Sequence, residues 1–365
     1  MENHAPAIAF LTRAPLIALA AAALFGVSTP LAKLLIGDVS PWLLAGLLYL
    51  GSGSGLTVLY LLRRASSGGS GEASLTRSDL PWLAGTILFG GILGPVLLLY
   101  GLALTDAASA SLLLNLEAVF TLGLAWVVFH EHVDRRLFTG AMAIVAGALL
   151  LSWQGGFGDA SWGVFLIGLA CLSWGIDNNL TRRISAADPV VIAAIKGVAA
   201  GSVNTALAFG LGATLPPLPV IEAALLLGFV SYGLGLVAFI VALRHLGTAR
   251  TGAYYGTAPF IGAVAATILL GTPLTFVIMA AGLLMAIGAW LHLSERHAHE
   301  HDHAALEHAH RHVHDAHHQH VHSPNDPPGE PHSHLHRHEP LTHSHRHWPD
   351  LHHRHRHPHK EEAGA

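Results

Sequence analysis

Residues 112–132 read LLLNLEAVFTLGLAWVVFHEH, an apolar run interrupted by Asn115 and Glu117 and ending in the polar His130-Glu131-His132. About 20 apolar residues cover the hydrocarbon core of a bilayer as a helix, and this run has that length. A charge in that layer costs about 2.5–3.5 kcal/mol on insertion scales, so Glu117 needs a partner or a wet cavity. The stretch predicts a membrane-spanning helix with a polar group near its middle.

Working outward, segments of similar length recur between short polar or Gly/Pro breaks, near 14–36, 41–62, 81–104, 107–130, 136–154, 161–183, 189–211, 219–243, 248–270 and 273–293. The first run is too long and too rich in Gly and Pro for a cleaved signal, and it reads as a retained helix. A barrel would show alternating ten-residue stretches instead of unbroken apolar runs, so the prediction is an all-α membrane protein with ten transmembrane helices. Composition agrees, because 52% of the 365 residues are hydrophobic and only 12% are charged, too few for a water-facing surface. The single cysteine, Cys171, excludes an intramolecular disulfide and a Cys-rich metal site.

Arg63, Arg64, Arg77, Arg135, Arg136, Arg182, Arg183, Arg244 and Arg250 fall in alternate loops, while the others hold Asp38, Asp106, Asp159 and Glu222, with Lys33 near one span end. Positive loops stay in the cytoplasm, which places both termini there. The halves also match. Phe25-Gly26 falls against Trp174-Gly175, Lys33 against Arg182, Ser40-Pro41 against Asp188-Pro189, and Ala118-Val119-Phe120 against Ala258-Pro259-Phe260. Five spans per half force the second repeat to run inverted, and such repeats place a substrate site at their interface near the midplane.

The stretch at 112–132, followed by Gly140 and AIVAGALLL, resembles the fourth and fifth helices of EamA-type carriers of the drug/metabolite transporter superfamily. The resemblance implies a first five-helix repeat over 14–154 and a second over 161–293. It also implies a secondary transporter in a bacterial inner membrane, exporting or exchanging a small solute, with no enzymatic activity, no required cofactor and no nucleic-acid partner.

The candidate pathway residues are Glu117, Asn115, Asp177, Asn178, Lys196, Tyr254 and Tyr255. Glu117 either couples protons to transport or ties helices together. Lys196 is a counter-charge for Glu117 or Asp177, or else it snorkels to an interface. Asp177-Asn178-Asn179 spreads over most of a helix circumference, so at least one of the three faces the interior. The alternative is a solvated turn beside Arg182 and Arg183. His130-Glu131-His132 lacks the i, i+4 spacing of a helical zinc motif and reads as a loop. Gly51/Gly55, Gly90/Gly94 and Gly197/Gly201 are close-contact pairs between helices. Among the prolines, Pro30 and Pro259 read as cavity-lining breaks, and Pro95 as either such a break or a simple kink.

From 295 to 365 the chain changes character, holding 24 of the 29 histidines. His297, His299, His301, His303, His308, His310, His312 and His314 alternate with small or charged residues. Such a segment buries no core and is expected to be disordered, and its imidazoles suit zinc, nickel or cobalt. Three functions stay open on the sequence: export of a divalent transition metal, export of an organic metabolite or drug with the tail as a metal buffer, and a metal-responsive sensor that transports nothing.

Overall fold

The computed structural model describes residues 14–67, 75–129, 135–153, 159–184, 187–239, 241–242, 251 and 254–293, with 298–303, 306–312, 332–338 and 341–346 in the tail. The body is helical. Among the described residues, eight helices are long and apolar enough to cross a membrane, from Pro15–Leu35 to Leu218–Phe239. Two shorter apolar helices, Ala258–Leu270 and Phe276–His292, stand where the ninth and tenth spans are expected.

Span one is α1 (Ala14–Leu35) and span two is α2 (Pro41–Ser67). Span three is composite: α3 (Leu80–Thr86) runs into a π-helical segment, Ile87–Leu93, and then into α4 (Gly94–Leu104). Span four is α5 (Ala107–Leu113) and α6 (Leu116–Phe129), separated by a turn at Leu114 and Asn115. Span five is α7 (Arg135–Ser152). The second half follows with α8 (Asp159–Ile184), α9 (Pro189–Gly210), α10 (Leu218–Leu227) continuing into a second π-helical segment, Gly228–Leu234, then α11 (Ala258–Leu270) and α12 (Phe276–Leu293).

Local chemistry sets several of these boundaries. The Asp106 carboxylate accepts the Ser109 amide at 2.8 Å to cap α5, and Asp188 accepts Val190 N–H at 2.9 Å ahead of Pro189 in α9. Ser40 takes the matching place before Pro41, accepting Leu43 N–H at 3.4 Å. Gly271 ends α11 in the left-handed region at φ 65°, which glycine adopts without penalty. Lys33, the one cation near a span end of the acidic loops, donates to the Thr105 carbonyl at 2.9 Å and also to Leu102 O. Its ammonium thus satisfies carbonyls at the end of span three, where the helix dipole favours positive charge.

The packing partners repeat with an offset of five spans. Span two lies along span seven, span four along span nine and span five along span ten. Span one packs on span nine as span six packs on span four, and span two meets span eight as span seven meets span three. Glycines make the central pair close: a Cβ on Gly197 would sit 2.6 Å from Gly53 Cα, and one on Gly201 would sit 2.6 Å from Leu50 N. The exterior carries large apolar side chains such as Phe276, Ile268, Val127 and Leu149, whereas Asn204, Asp177 and Asn115 are buried. That is the inverse of a water-soluble surface and suits lipid.

In the tail, four short strands are described. β1 (Ala298–His303) pairs antiparallel with β4 (Leu341–Arg346), and β2 (Leu306–His312) pairs with β3 (His332–His338). Composition forbids a core there, but the period-two alternation of the sequence matches a strand, and backbone pairing needs no core. His297 and His314 lie outside the described residues, as do His130, Glu131 and His132.

Replacing Gly197 by Val forces the α2–α9 backbones apart and should destabilise the protein by about 1–3 kcal/mol, the usual range for overpacking. Thermal unfolding in detergent checks this against Gly37→Ala, where nothing lies within 4 Å of an added Cβ and no shift is expected.

Candidate functional site: a polar centre built on broken helices

Span three loses its regular hydrogen bonds at Gly90 and Gly91. The Gly94 N–H donates to Phe89 O, five residues back, and so bypasses Gly90 O. The next candidate donor for Gly90 O, and the ordinary one for Gly91 O, is residue 95, a proline with no N–H. Gly90 O is therefore bypassed, and Gly91 O lacks its ordinary helical donor, in a region that holds no bulk water. Side chains replace the missing donors. Tyr49 O–H donates to Gly90 O at 2.6 Å, Trp174 Nε1–H donates to the same oxygen at 3.2 Å, and Asn204 Nδ2 donates to Gly91 O at 3.0 Å. Spans two, six and seven are thereby tied to one point of span three. Of the two sequence readings of Pro95, this geometry favours the break that frees backbone groups over the simple kink.

Against the same glycines lies an ion pair. Lys196 Nζ stands 2.5 Å from Asp177 Oδ2, and Asp177 Oδ1 accepts Thr181 Oγ1–H at 3.2 Å. A methyl group at Gly90 would overlap both the Asp177 carboxylate and the Lys196 ammonium, so the pair rests on bare backbone. This chooses among the readings of Lys196: it is the counter-charge of Asp177 and does not snorkel.

Glu117 lies within electrostatic reach of both members of that pair, but among the described residues it makes no ion pair with either. It occupies the first turn of α6, just after the break at Leu114 and Asn115, and its Oε1 accepts Asn178 Nδ2–H at 2.8 Å. Asn178 also reaches Thr121 Oγ1 at 3.3 Å, and Asn179 Nδ2 donates to Thr121 O at 3.3 Å and Gly175 O at 2.8 Å. Asp177 and Asn179 are buried and Asn178 is exposed, so the triplet divides between the ion pair, the helix seam and Glu117. Of the three, Asn178 alone is exposed. Asn115 is buried and donates to Leu112 O at 2.8 Å, which closes the turn.

Span nine breaks at the matching place. Thr257 N–H bonds Tyr254 O at 3.2 Å as Glu117 N–H bonds Leu114 O at 3.1 Å, and the aligned Ala258 and Ala118 follow each. The repeated dipeptides pack on these breaks: a Cβ on Gly175 would lie 3.0 Å from Phe120 Cβ, and one on Gly26 would meet Ala258 backbone. Tyr255 stacks near Phe25 at 5.7 Å and Phe239 at 4.6 Å, while Phe25 meets Tyr232 at 5.9 Å and Tyr232 meets Tyr49 at 5.9 Å. Glu117 is within electrostatic reach of Tyr255 and Tyr49. Tyr254 contributes its carbonyl to the break, also accepting Thr257 Oγ1–H at 2.6 Å.

Sequence reasoning missed Tyr49, Trp174, Phe25 and Tyr232. The dipeptides Phe25-Gly26 and Trp174-Gly175 were visible as a repeat, yet nothing in them says that an indole serves a carbonyl 84 residues away. Among residues whose side chains are described, no group of three or more His, Cys, Asp or Glu could hold a metal ion.

A helical membrane bundle whose broken spans meet at a polar centre defines a carrier. This chain belongs to the EamA-like transporter family, which it matches over residues 12–153 and 161–294. It is 28% identical over 281 residues to an uncharacterized transporter of Methanothermobacter thermautotrophicus, covering 73% of this chain and 82% of that one. A probable amino-acid metabolite efflux pump of Salmonella typhimurium is 27% identical over 201 residues, covering 51% of this chain and 67% of the pump. A probable 4-amino-4-deoxy-L-arabinose-phosphoundecaprenol flippase subunit of Pseudomonas fluorescens is 40% identical over 76 residues, 21% of this chain and 64% of the subunit. A solved crystal structure shares the fold at TM-score 0.57 with 20% identity, over 76% of this chain and 94% of that one. The protein is a multi-pass membrane transporter.

Tyr49→Phe removes one donor to Gly90 O and should cost about 1 kcal/mol, the net worth of an ordinary hydrogen bond. In a Pro95→Ala background, where residue 95 regains an N–H, the same change should cost close to nothing. Equal costs in both backgrounds, measured by unfolding in detergent, would show that Pro95 is not what releases the carbonyl.

Proposed function

We propose that this transporter exports small amine-bearing organic solutes by alternating access, with Glu117 as the group that binds the ammonium. One observation supports the reading above others. Asp177 and Lys196 neutralise each other, whereas among the described residues Glu117 has an amide partner and no ion-pair partner. The centre therefore keeps one negative charge beside aromatic rings, a setting that favours an organic cation through both charge and ring faces. Similarity to an amino-acid metabolite efflux pump adds support, since amino acids carry an ammonium group.

The two broken spans supply the moving parts. Glu117 and Thr257 each open a half-helix, and the breaks allow each half to tilt without dragging the whole span. Both termini are cytoplasmic in this proposal, with Asp177–Lys196 as a fixed strut that stays paired through the cycle. Export of a transition metal is the weaker reading at this centre, because its groups are carboxylate, amide and hydroxyl oxygens and aromatic rings, without imidazole or thiolate. Metal chemistry belongs instead to the tail.

Flux into reconstituted vesicles, with a panel of amines, amino acids, nickel, cobalt and zinc, tests the proposal. Amine-bearing solutes should move, and Glu117→Gln should lower their flux roughly thirtyfold or more, the cost of removing one partner from a buried charge pair. Metal flux in place of amine flux, or full amine flux in Glu117→Gln, refutes it. Asp177→Asn should instead lower stability by about 3 kcal/mol or more, because it strands Lys196, and that loss reads out in unfolding before any effect on selectivity.

A further inference from the structure

The strand register of the tail sets histidines directly opposite histidines. Across β2 and β3, His308 faces His336, His310 faces His334 and His312 faces His332, and across β1 and β4, His299 faces His345 and His301 faces His343. Every second residue of a strand lies on one face, so these ten histidines occupy one face of each ladder. Glu307 falls opposite Arg337 on the other face of β2 and β3, an opposed charge pair that favours this register over a one-residue slip.

We propose that each ladder is a separate transition-metal site whose four imidazole ligands come from two neighbouring rungs of opposed histidines. Directly opposed residues have Cβ atoms about 4.5–5.5 Å apart, and the next rung on the same face lies about 6.6–6.8 Å further along. Four imidazoles at that spacing are within reach of one ion with metal–nitrogen bonds of about 2.0–2.1 Å. Four neutral imidazoles select zinc, cobalt, nickel or copper and offer nothing to magnesium or calcium. A two-stranded ladder without a core is marginal in water, so the metal and the ladder stabilise each other. The ligands of one site are thus supplied by two strands, with 19 residues between the end of β2 and the start of β3 in the sequence. In the longer ladder the middle rung, His310 and His334, is common to both possible pairs of neighbouring rungs, and the site depends on it. None of this rests on what the membrane-spanning part carries.

The test uses the full-length protein in detergent, purified without an added histidine tag, with zinc for affinity and stoichiometry and cobalt for geometry. Two tight zinc sites and a four-coordinate cobalt absorption band are expected. His310→Ala should remove one tight site, weakening it at least about tenfold, since even outer-shell partners of metal ligands are worth that much. Adding His334→Ala should then change little, because the same site is already broken. His310→Ala with His343→Ala should remove both sites. His317→Ala with His318→Ala, which lie on neither ladder, should remove none. If the loss follows only the number of histidines removed and ignores which rung they come from, the proposal is wrong.

Discussion

Inside a bilayer a backbone carbonyl without its ordinary helical donor has no water to turn to, and Gly90 and Gly91 present two of them. Pro95 creates the deficit, and Tyr49, Trp174 and Asn204 make it good. The consequence is architectural. Three other spans must stand close to span three at one level, and the glycines that allow this approach also leave room for the Asp177–Lys196 pair. Burying two charges together is tolerable only with good geometry and further hydrogen bonds, and the 2.5 Å contact with Thr181 alongside provides both.

The two halves answer the same demand with different residues. Each third span of a half contains a seven-residue π-helical segment ending just before a glycine, Gly94 or Gly235, but only the first is followed by proline. Each fourth span carries the same i→i−3 hydrogen bond at its break, donated by an aligned pair, Glu117 and Thr257. The geometry repeats while the charge does not. Glu117, Asp177 and Lys196 have neutral counterparts in the other half, so an approximately symmetric frame encloses an asymmetric site. That asymmetry concentrates the unpaired carboxylate in one place.

Polar residues here divide into those that hold the fold and those left over. Asn115, Asn179, Tyr49 and Asn204 serve backbone carbonyls, and Lys196 serves Asp177. What remains is Glu117 with Asn178, which also reaches Thr121. A functional group in a membrane protein is easier to recognise once structural debts of this kind have been assigned, because an intramembrane charge is costly enough that it is seldom idle.

The amino-acid sequence by itself determined the spans, because hydrocarbon thickness sets helix length and apolar runs report it directly. It also determined the pairing of the halves through short motifs such as Phe25-Gly26 with Trp174-Gly175, and the candidacy of Glu117, Asp177 and Lys196, since charge in an apolar run is conspicuous. Tertiary structure alone decided which cation serves which carboxylate. Lys196 is 19 residues from Asp177 and 79 from Glu117, and helical geometry in one dimension favours neither strongly. It also decided the role of Pro95, whose effect depends on donors 46 residues before it and 79 and 109 after it. In the tail, the sequence shows alternating histidines and reads as disordered, and only the register shows which histidines face each other, because opposition across a ladder is a relation between segments and no single segment contains it.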